Sequence, residues 1–134
     1  MAKIINVEGI GEKYGRKLIK ADISTTNALL KKGATPKGRE EIAKMTGISS
    51  KLILTWVNHV DLFRITGVGE EYADLLEGAG IDTVPELAQR NPSNLRDKLV
   101  ETNNKKKLVR QLPSENQVQQ WVKQAKTLPR VITY

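Results

Sequence analysis

Apolar residues recur along the chain at spacings of three and four, separated by short polar stops, and no segment alternates in the manner of a half-buried strand. The pattern predicts an all-α protein built from short helices. One runs from Glu12 to about Lys20 with Tyr14, Leu18 and Ala21 on its apolar side, and another from Glu70 to about Glu77 with Tyr72, Leu75, Leu76 and Ala79, stopped at Gly80. Thr25 and Thr83 are expected to cap short helices ending near Lys32 and Arg90, with Gly33 closing the first and Pro85 accommodated in the first turn of the second. Thr35-Pro36 and Asn91-Pro92 each read as a cap followed by a proline at the first helical position. They open helices to about Met45, with Gly47 as its stop, and to about Val100. Ser49 and Ser114 precede the longest helices, about 50–61 and 115–127. Their stripes are Ile53, Trp56, Val57, Val60 and Val118, Trp121, Val122, Ala125. Both tryptophans are expected in the core.

Sliding the chain against itself exposes an internal repeat. At an offset of 58, Gly9, Gly11, Glu12, Tyr14, Leu18, Ala21, Ile23 and Thr25 fall on Gly67, Gly69, Glu70, Tyr72, Leu76, Ala79, Ile81 and Thr83, eight identities in a window of seventeen. Further on the offset becomes 65, where Ser49, Trp56 and Val57 meet Ser114, Trp121 and Val122. The second copy has gained seven residues, expected around Asn103, Asn104 and Lys105 to Lys107 as a loop or frayed helix end. The predicted organisation is a first helical repeat over 1–61, a second over 62–127 and a C-terminal tail over 128–134, packed as one compact unit. The tail is apolar, so docking on a neighbour and disorder are both open for it.

Composition narrows the chemistry. With 134 residues, no cysteine and one histidine, a disulfide scaffold, a thiolate metal site and a cysteine nucleophile are excluded, and no metal or cofactor is expected. His59 lies between apolar positions of its helix and reads as a solvated or simply hydrogen-bonded side chain. No window approaches the run of about 20 apolar residues that a membrane span requires, so a soluble, cytoplasmic protein without a membrane partner is expected. The net charge of +7 suits a polyanion, and its distribution carries more information than its total. Residues 1–61 hold eleven basic and six acidic groups, 62–101 four and eight, and 102–134 seven and one. Basic flanks around an acidic middle can attract phosphate, or a second copy of the chain.

Val7-Glu8-Gly9-Ile10-Gly11 and Ile65-Thr66-Gly67-Val68-Gly69 each lead into a helix. The glycines permit a tight turn with positive φ, and the apolar residue between them can plug the junction of adjacent helices. Backbone amides of such a turn, with the free N–H groups of the following helix, converge on a spot that favours an anion. Through these turns the sequence resembles the helix-hairpin-helix family, whose members bind the DNA backbone without reading base sequence. The resemblance covers Val7 to Leu18 and Ser50 to Leu76. The stretch from Leu76 to Ala88 is similar to the continuation of this motif in the C-terminal domain of the bacterial RNA polymerase α subunit. As a whole the chain resembles an uncharacterised bacterial family of tandem helix-hairpin-helix units that carries a domain-of-unknown-function label.

The resemblance implies sequence-nonspecific binding of DNA or another nucleic acid, and the residues divide the two turns. Gly9, Ile10 and Gly11 are followed by Lys13, Arg16, Lys17 and Lys20, which share one helical face and form the leading nucleic-acid site. Gly67, Val68 and Gly69 are followed by Glu70, Glu71 and Asp74, carboxylates that occupy the helix start and repel phosphate, so this turn is a secondary candidate. Lys105, Lys106 and Lys107 form a second basic patch, with a solvated loop as the alternative. Too few residues precede the first turn to supply the helix expected before it, and helix 115–127 of the same chain, or of another copy in a homodimer, is expected to take that place. The competing function is a protein-interaction or self-assembly module without nucleic-acid binding. No enzyme is expected: paired carboxylates, a metal-ligand cluster and a phosphate-binding Gly-Lys-Ser/Thr loop are absent, and the chain is too short for the second domain of a base-excising glycosylase.

Overall fold

A computed structural model of the chain describes Lys3, Ile4, Val7 and residues 9–134, and among these the structure is all-α. A single isolated antiparallel bridge pairs Lys3 with Thr25. The chain divides into two compact units, residues 1–60 with 131–134 and residues 61–130.

The first unit contains α1 (Gly11–Lys20), α2 (Thr26–Lys32), α3 (Pro36–Thr46) and α4 (Ser50–Asp61), the last running to the unit boundary. Its helix starts are made locally. The hydroxyl of Thr25 accepts the Ala28 N–H at 3.1 Å and that of Thr35 the Gly38 N–H at 3.0 Å, with Pro36 opening α3 where no intrahelical donor is needed. Ser49 Oγ takes the Leu52 N–H at the head of α4. Gly47 ends α3 in the left-handed region at φ +73°, returning its N–H to Ala43. The core is a stripe from each helix, with Leu18, Leu29, Ile42, Ile53 and Trp56 at most 2 % exposed. Residues 131–134 belong to this unit: Ile132 is buried, Thr133 N–H donates to Ala34 O at 2.8 Å, and the Tyr134 hydroxyl donates to Asn58 Oδ1 at 2.8 Å. The segment expected either to dock on a neighbour or to be disordered is thus docked on its own chain, because Ile132 has an apolar place to fill and both polar groups of the Thr133 backbone find partners.

The second unit opens with a 3₁₀ turn over Leu62–Arg64 and continues through α5 (Glu70–Gly78), α6 (Val84–Ala88), α7 (Pro92–Lys106) and α8 (Glu115–Thr127). Asn91 caps α7 through the Asn94 N–H, and α8 begins with a full capping box, Ser114 and Gln117 exchanging side-chain-to-backbone bonds. Helix α7 runs six residues beyond the expected end at Val100. The polar Asn103-to-Lys107 run hid the fact that Leu95, Leu99 and Thr102 continue one buried face, and that the Asn103 amide holds both the N–H and the C=O of Val109. Thr83 makes no capping bond, contrary to the sequence expectation. Pro85 removes one of the N–H groups it would bind, and the Val84 N–H is instead taken by Asp61 Oδ2 at 3.0 Å.

Asp61 is 2 % exposed, and its other oxygen accepts from Arg64 Nε at 2.8 Å. The same guanidinium donates through Nη1 to the carbonyl of Pro129. A buried carboxylate therefore ties together the turn after α4, the start of α6 and the chain leaving α8. Arg39 has a parallel role in the first unit: 5 % exposed, it donates to Gly33 O and to Thr133 O, both at 2.8 Å.

Candidate nucleic-acid interface

Each unit presents a Gly-x-Gly turn at the head of a helix. In the first, Ile10 N–H returns to Val7 O at 3.1 Å; in the second, Val68 N–H returns to Ile65 O at 3.0 Å. Gly9 and Gly67 sit at φ +86° and +93°, where a side chain would be strained. A Cβ added at Gly9 would lie 3.6 Å from Trp56 Nε1, and one at Gly67 3.3 Å from Trp121 Nε1, so a tryptophan from the last helix of each unit packs on the bare backbone of its turn. Tyr14 lies against Trp56 with ring centroids 5.2 Å apart, and Tyr72 against Trp121 at 5.1 Å. Both tryptophans are 2 % exposed, as expected of core residues.

This arrangement corrects the expected partner of the first turn. The place reserved for helix 115–127 is filled by α4 of the same unit, while α8 covers the second turn. The repeat spacing explains why: Trp56 stands to Gly9 as Trp121 stands to Gly67, so each copy carries its own covering helix at its C-terminal side and needs none before the turn.

The inner residues of the turns are structural. Ile10 and Val68 are 3 % and 5 % exposed, filling the space beneath the turn, so what each turn offers outward is backbone. Around the first turn this backbone is accessible. Gly11 is exposed at φ +65° with nothing within 4 Å of a built Cβ, and the N-cap residue Ile10 has no side-chain oxygen to satisfy the first amides of α1. Glu8 lies outside the described residues. Lys13, Arg16, Lys17 and Lys20 are all exposed and follow one strip of α1 about 10 Å long at 1.5 Å rise per residue. Arg16 pairs with Glu12, but both side chains are 72 % exposed, and an ion pair this open is released at little cost. Lys17 Nζ lies 6.0 Å from the Tyr14 ring, which leans its stem along the helix.

The second turn differs in both backbone and charge. Gly69 has φ −95° and ψ −166°, open to any residue, and no neighbour within 4 Å of a built Cβ. The first turn of α5 carries Glu70 and Glu71. Gln124 clamps Thr66, accepting from its N–H at 3.0 Å and donating to its carbonyl at 3.3 Å. Lys105 and Lys106 form the last turn of α7, and Lys107 ends it at φ +50°, ψ +51° with its N–H on Asn103 O. All three are exposed, Lys105 pairs with Glu101 at 3.3 Å, and their position at a helix C-terminus is one where positive charge is stabilising in its own right. The structure places them in a different unit from Lys13, Arg16, Lys17 and Lys20.

Divided along these units, the charge is again uneven. The first unit holds eleven basic and five acidic residues, +6, and the second eleven and ten, +1. His59, 5 % exposed, is a buried side chain rather than a solvated one. Sequence reasoning missed Arg39 and Asp61 as buried polar anchors, since Arg39 reaches Thr133 across 94 positions and Asp61 reaches Val84 across 23.

These features define an all-α protein of two units that repeat one turn, one helix and one Tyr–Trp contact, with no group of three or more His, Asp or Glu placed to hold a metal ion and no helix long and apolar enough to cross a membrane among the described residues. The chain belongs to the family described as "Domain of unknown function (DUF4332)", whose model matches residues 8–128. No solved structure matches the chain.

Proposed function

We propose that the protein binds the phosphate backbone of nucleic acid, DNA in the first instance, without reading base sequence, and does so through the first unit. The observation that carries this reading is the coincidence on α1 of an open, positive-φ glycine turn with four exposed basic side chains on one strip. Amides at the turn suit one phosphate, and the strip suits those that follow along a strand. The sequence resemblance to helix-hairpin-helix proteins supports the same assignment, and so does the +6 charge of this unit. Glu70 and Glu71 make the second turn unsuited to the task, and Lys105 to Lys107 are auxiliary.

Binding is electrostatic in this reading, so its salt dependence is the test. About four phosphate contacts give a slope of log K against log salt near −3.6, and an affinity loss on the order of 100-fold between 50 and 200 mM salt. Substituting Lys13→Glu and Lys17→Glu together is expected to abolish the shift of duplex DNA in a mobility titration at about 150 mM salt. Equal affinity for scrambled duplex sequences is expected as well. A double variant that binds as the parent does would overturn the assignment.

A further inference from the structure

The way Val131–Tyr134 sits on the first unit is the way a bound peptide sits in a receptor. The segment has no helix after Pro129, and it is held by three separate devices. An apolar anchor, Ile132, is 3 % exposed. Next to it, Thr133 has both backbone groups engaged, its N–H on Ala34 O at 2.8 Å and its C=O receiving Arg39 Nη2 at 2.8 Å. Beyond it, the Tyr134 hydroxyl reaches Asn58 Oδ1, and its ring lies 6.0 Å from the Arg39 guanidinium carbon. An apolar side chain in a pocket plus paired main-chain bonds at the next residue is the general scheme by which extended segments are recognised.

Arg39 makes this a built site. It is 5 % exposed, and its Nη1 is held by Gly33 O at 2.8 Å, which fixes the guanidinium with Nη2 aimed at the segment. Vacating the groove breaks the Arg39 bond to Thr133 O and uncovers a side chain that the segment helps to bury, and any segment presenting a carbonyl at the same place restores that bond. Ala34 O, in the link between α2 and α3, accepts from both the Thr133 N–H and its hydroxyl.

We propose that this groove is a peptide-binding site, filled here in cis by the chain's own residues 131–134, and that it accepts the same segment from a second copy of the chain. Every contact of the bound segment is made by residues that a second copy supplies identically, so exchange replaces each bond one for one and yields a reciprocal dimer. The inference does not depend on nucleic-acid binding, since none of Lys13, Arg16, Lys17 or Lys20 contributes to the groove.

The absence of cysteine from the sequence permits a direct test on the full chain. One preparation carries Ala34→Cys and another Thr133→Cys; they are mixed at high protein concentration and bridged with a short bis-maleimide. Exchange is expected to give a covalent heterodimer several-fold above that from Thr133→Cys mixed with Lys123→Cys, a position outside the groove. A heterodimer no more abundant than this control would overturn the proposal. In parallel, Ile132→Asp is expected to vacate the groove, so that it binds a labelled Leu-Pro-Arg-Val-Ile-Thr-Tyr peptide in an anisotropy titration. The parent binds it at least tenfold more weakly, and so does Ile132→Asp carrying Arg39→Met. A folded Ile132→Asp chain that ignores the peptide would equally refute the site; if that variant does not fold, the bridging experiment decides alone.

Discussion

The two units solve the same folding problem and carry opposite charge on the helix that follows the turn. In each, a glycine at positive φ lies under the indole of a tryptophan from the last helix, a tyrosine packs on that indole, and an apolar residue fills the turn from within. Yet the helix that follows carries Lys13, Arg16, Lys17 and Lys20 in one unit and Glu70, Glu71 and Asp74 in the other. The lesson is that the turn is first a device for joining helices, and in the proposed function it serves as a site for phosphate only where the side chains around it agree. Backbone geometry alone therefore does not assign function here; the sign of charge on the next helix separates the turn proposed to bind from its counterpart.

If the shared Gly–Tyr–Trp arrangement is what holds each unit, Trp56→Ala and Trp121→Ala should be the most damaging changes and should resemble one another. Each is expected to cost about 3–5 kcal/mol, read from urea denaturation, since a large buried side chain leaves a cavity and exposes its tyrosine partner. A loss in only one of the two would break the equivalence. Asp61→Ala probes a device confined to the second unit. It strands Arg64 in a largely buried setting and removes the bond to Val84, for an expected loss of about 3 kcal/mol or more. Thr25→Ala, which removes the corresponding helix cap of the first unit, should cost about 1 kcal/mol.

A smaller effect sharpens the contrast between the turns themselves. Gly11→Ala is expected to cost about 1–2 kcal/mol because φ is +65° there, whereas the repeat-equivalent Gly69→Ala should fall within about 0.5 kcal/mol of the parent, its φ being ordinary and its surroundings open. Thermal denaturation of the pair distinguishes them. Equal costs would mean that the second turn adopts in solution the conformation of the first.

Much of this organisation was legible because it is local. Prolines, caps and glycines punctuate the helices, and the 58-residue repeat aligns Gly9 with Gly67 and Tyr14 with Tyr72, so the all-α class and both turns could be placed from sequence. The stripe positions of Trp56 and Trp121 likewise marked them as core. What could not be read was long-range. Nothing near Asp61 indicates that it caps α6 twenty-three residues later, nor anything near Arg39 that its partner is Thr133. The expected borrowing of helix 115–127 by the first turn failed for a related reason. It assumed that the covering helix comes before the turn, whereas each turn is covered by the helix that closes its own repeat. The polar run at 103–107 misled for the opposite cause: charged residues are good helix formers, and the buried face beneath them, Leu95, Leu99 and Thr102, is what carries α7 onward.

The central claim, that phosphate binding resides in the first unit, is tested most directly by one salt titration of duplex-DNA affinity on matched charge reversals. Lys13→Glu/Lys17→Glu in the first unit is compared with Lys105→Glu/Lys106→Glu in the second, the two changing net charge identically. The first pair is expected to lower the slope of log K against log salt by about 2 and to remove measurable binding at about 150 mM salt. The second pair is expected to leave most of both in place. Loss of binding in the second pair with a parental slope in the first would contradict the claim.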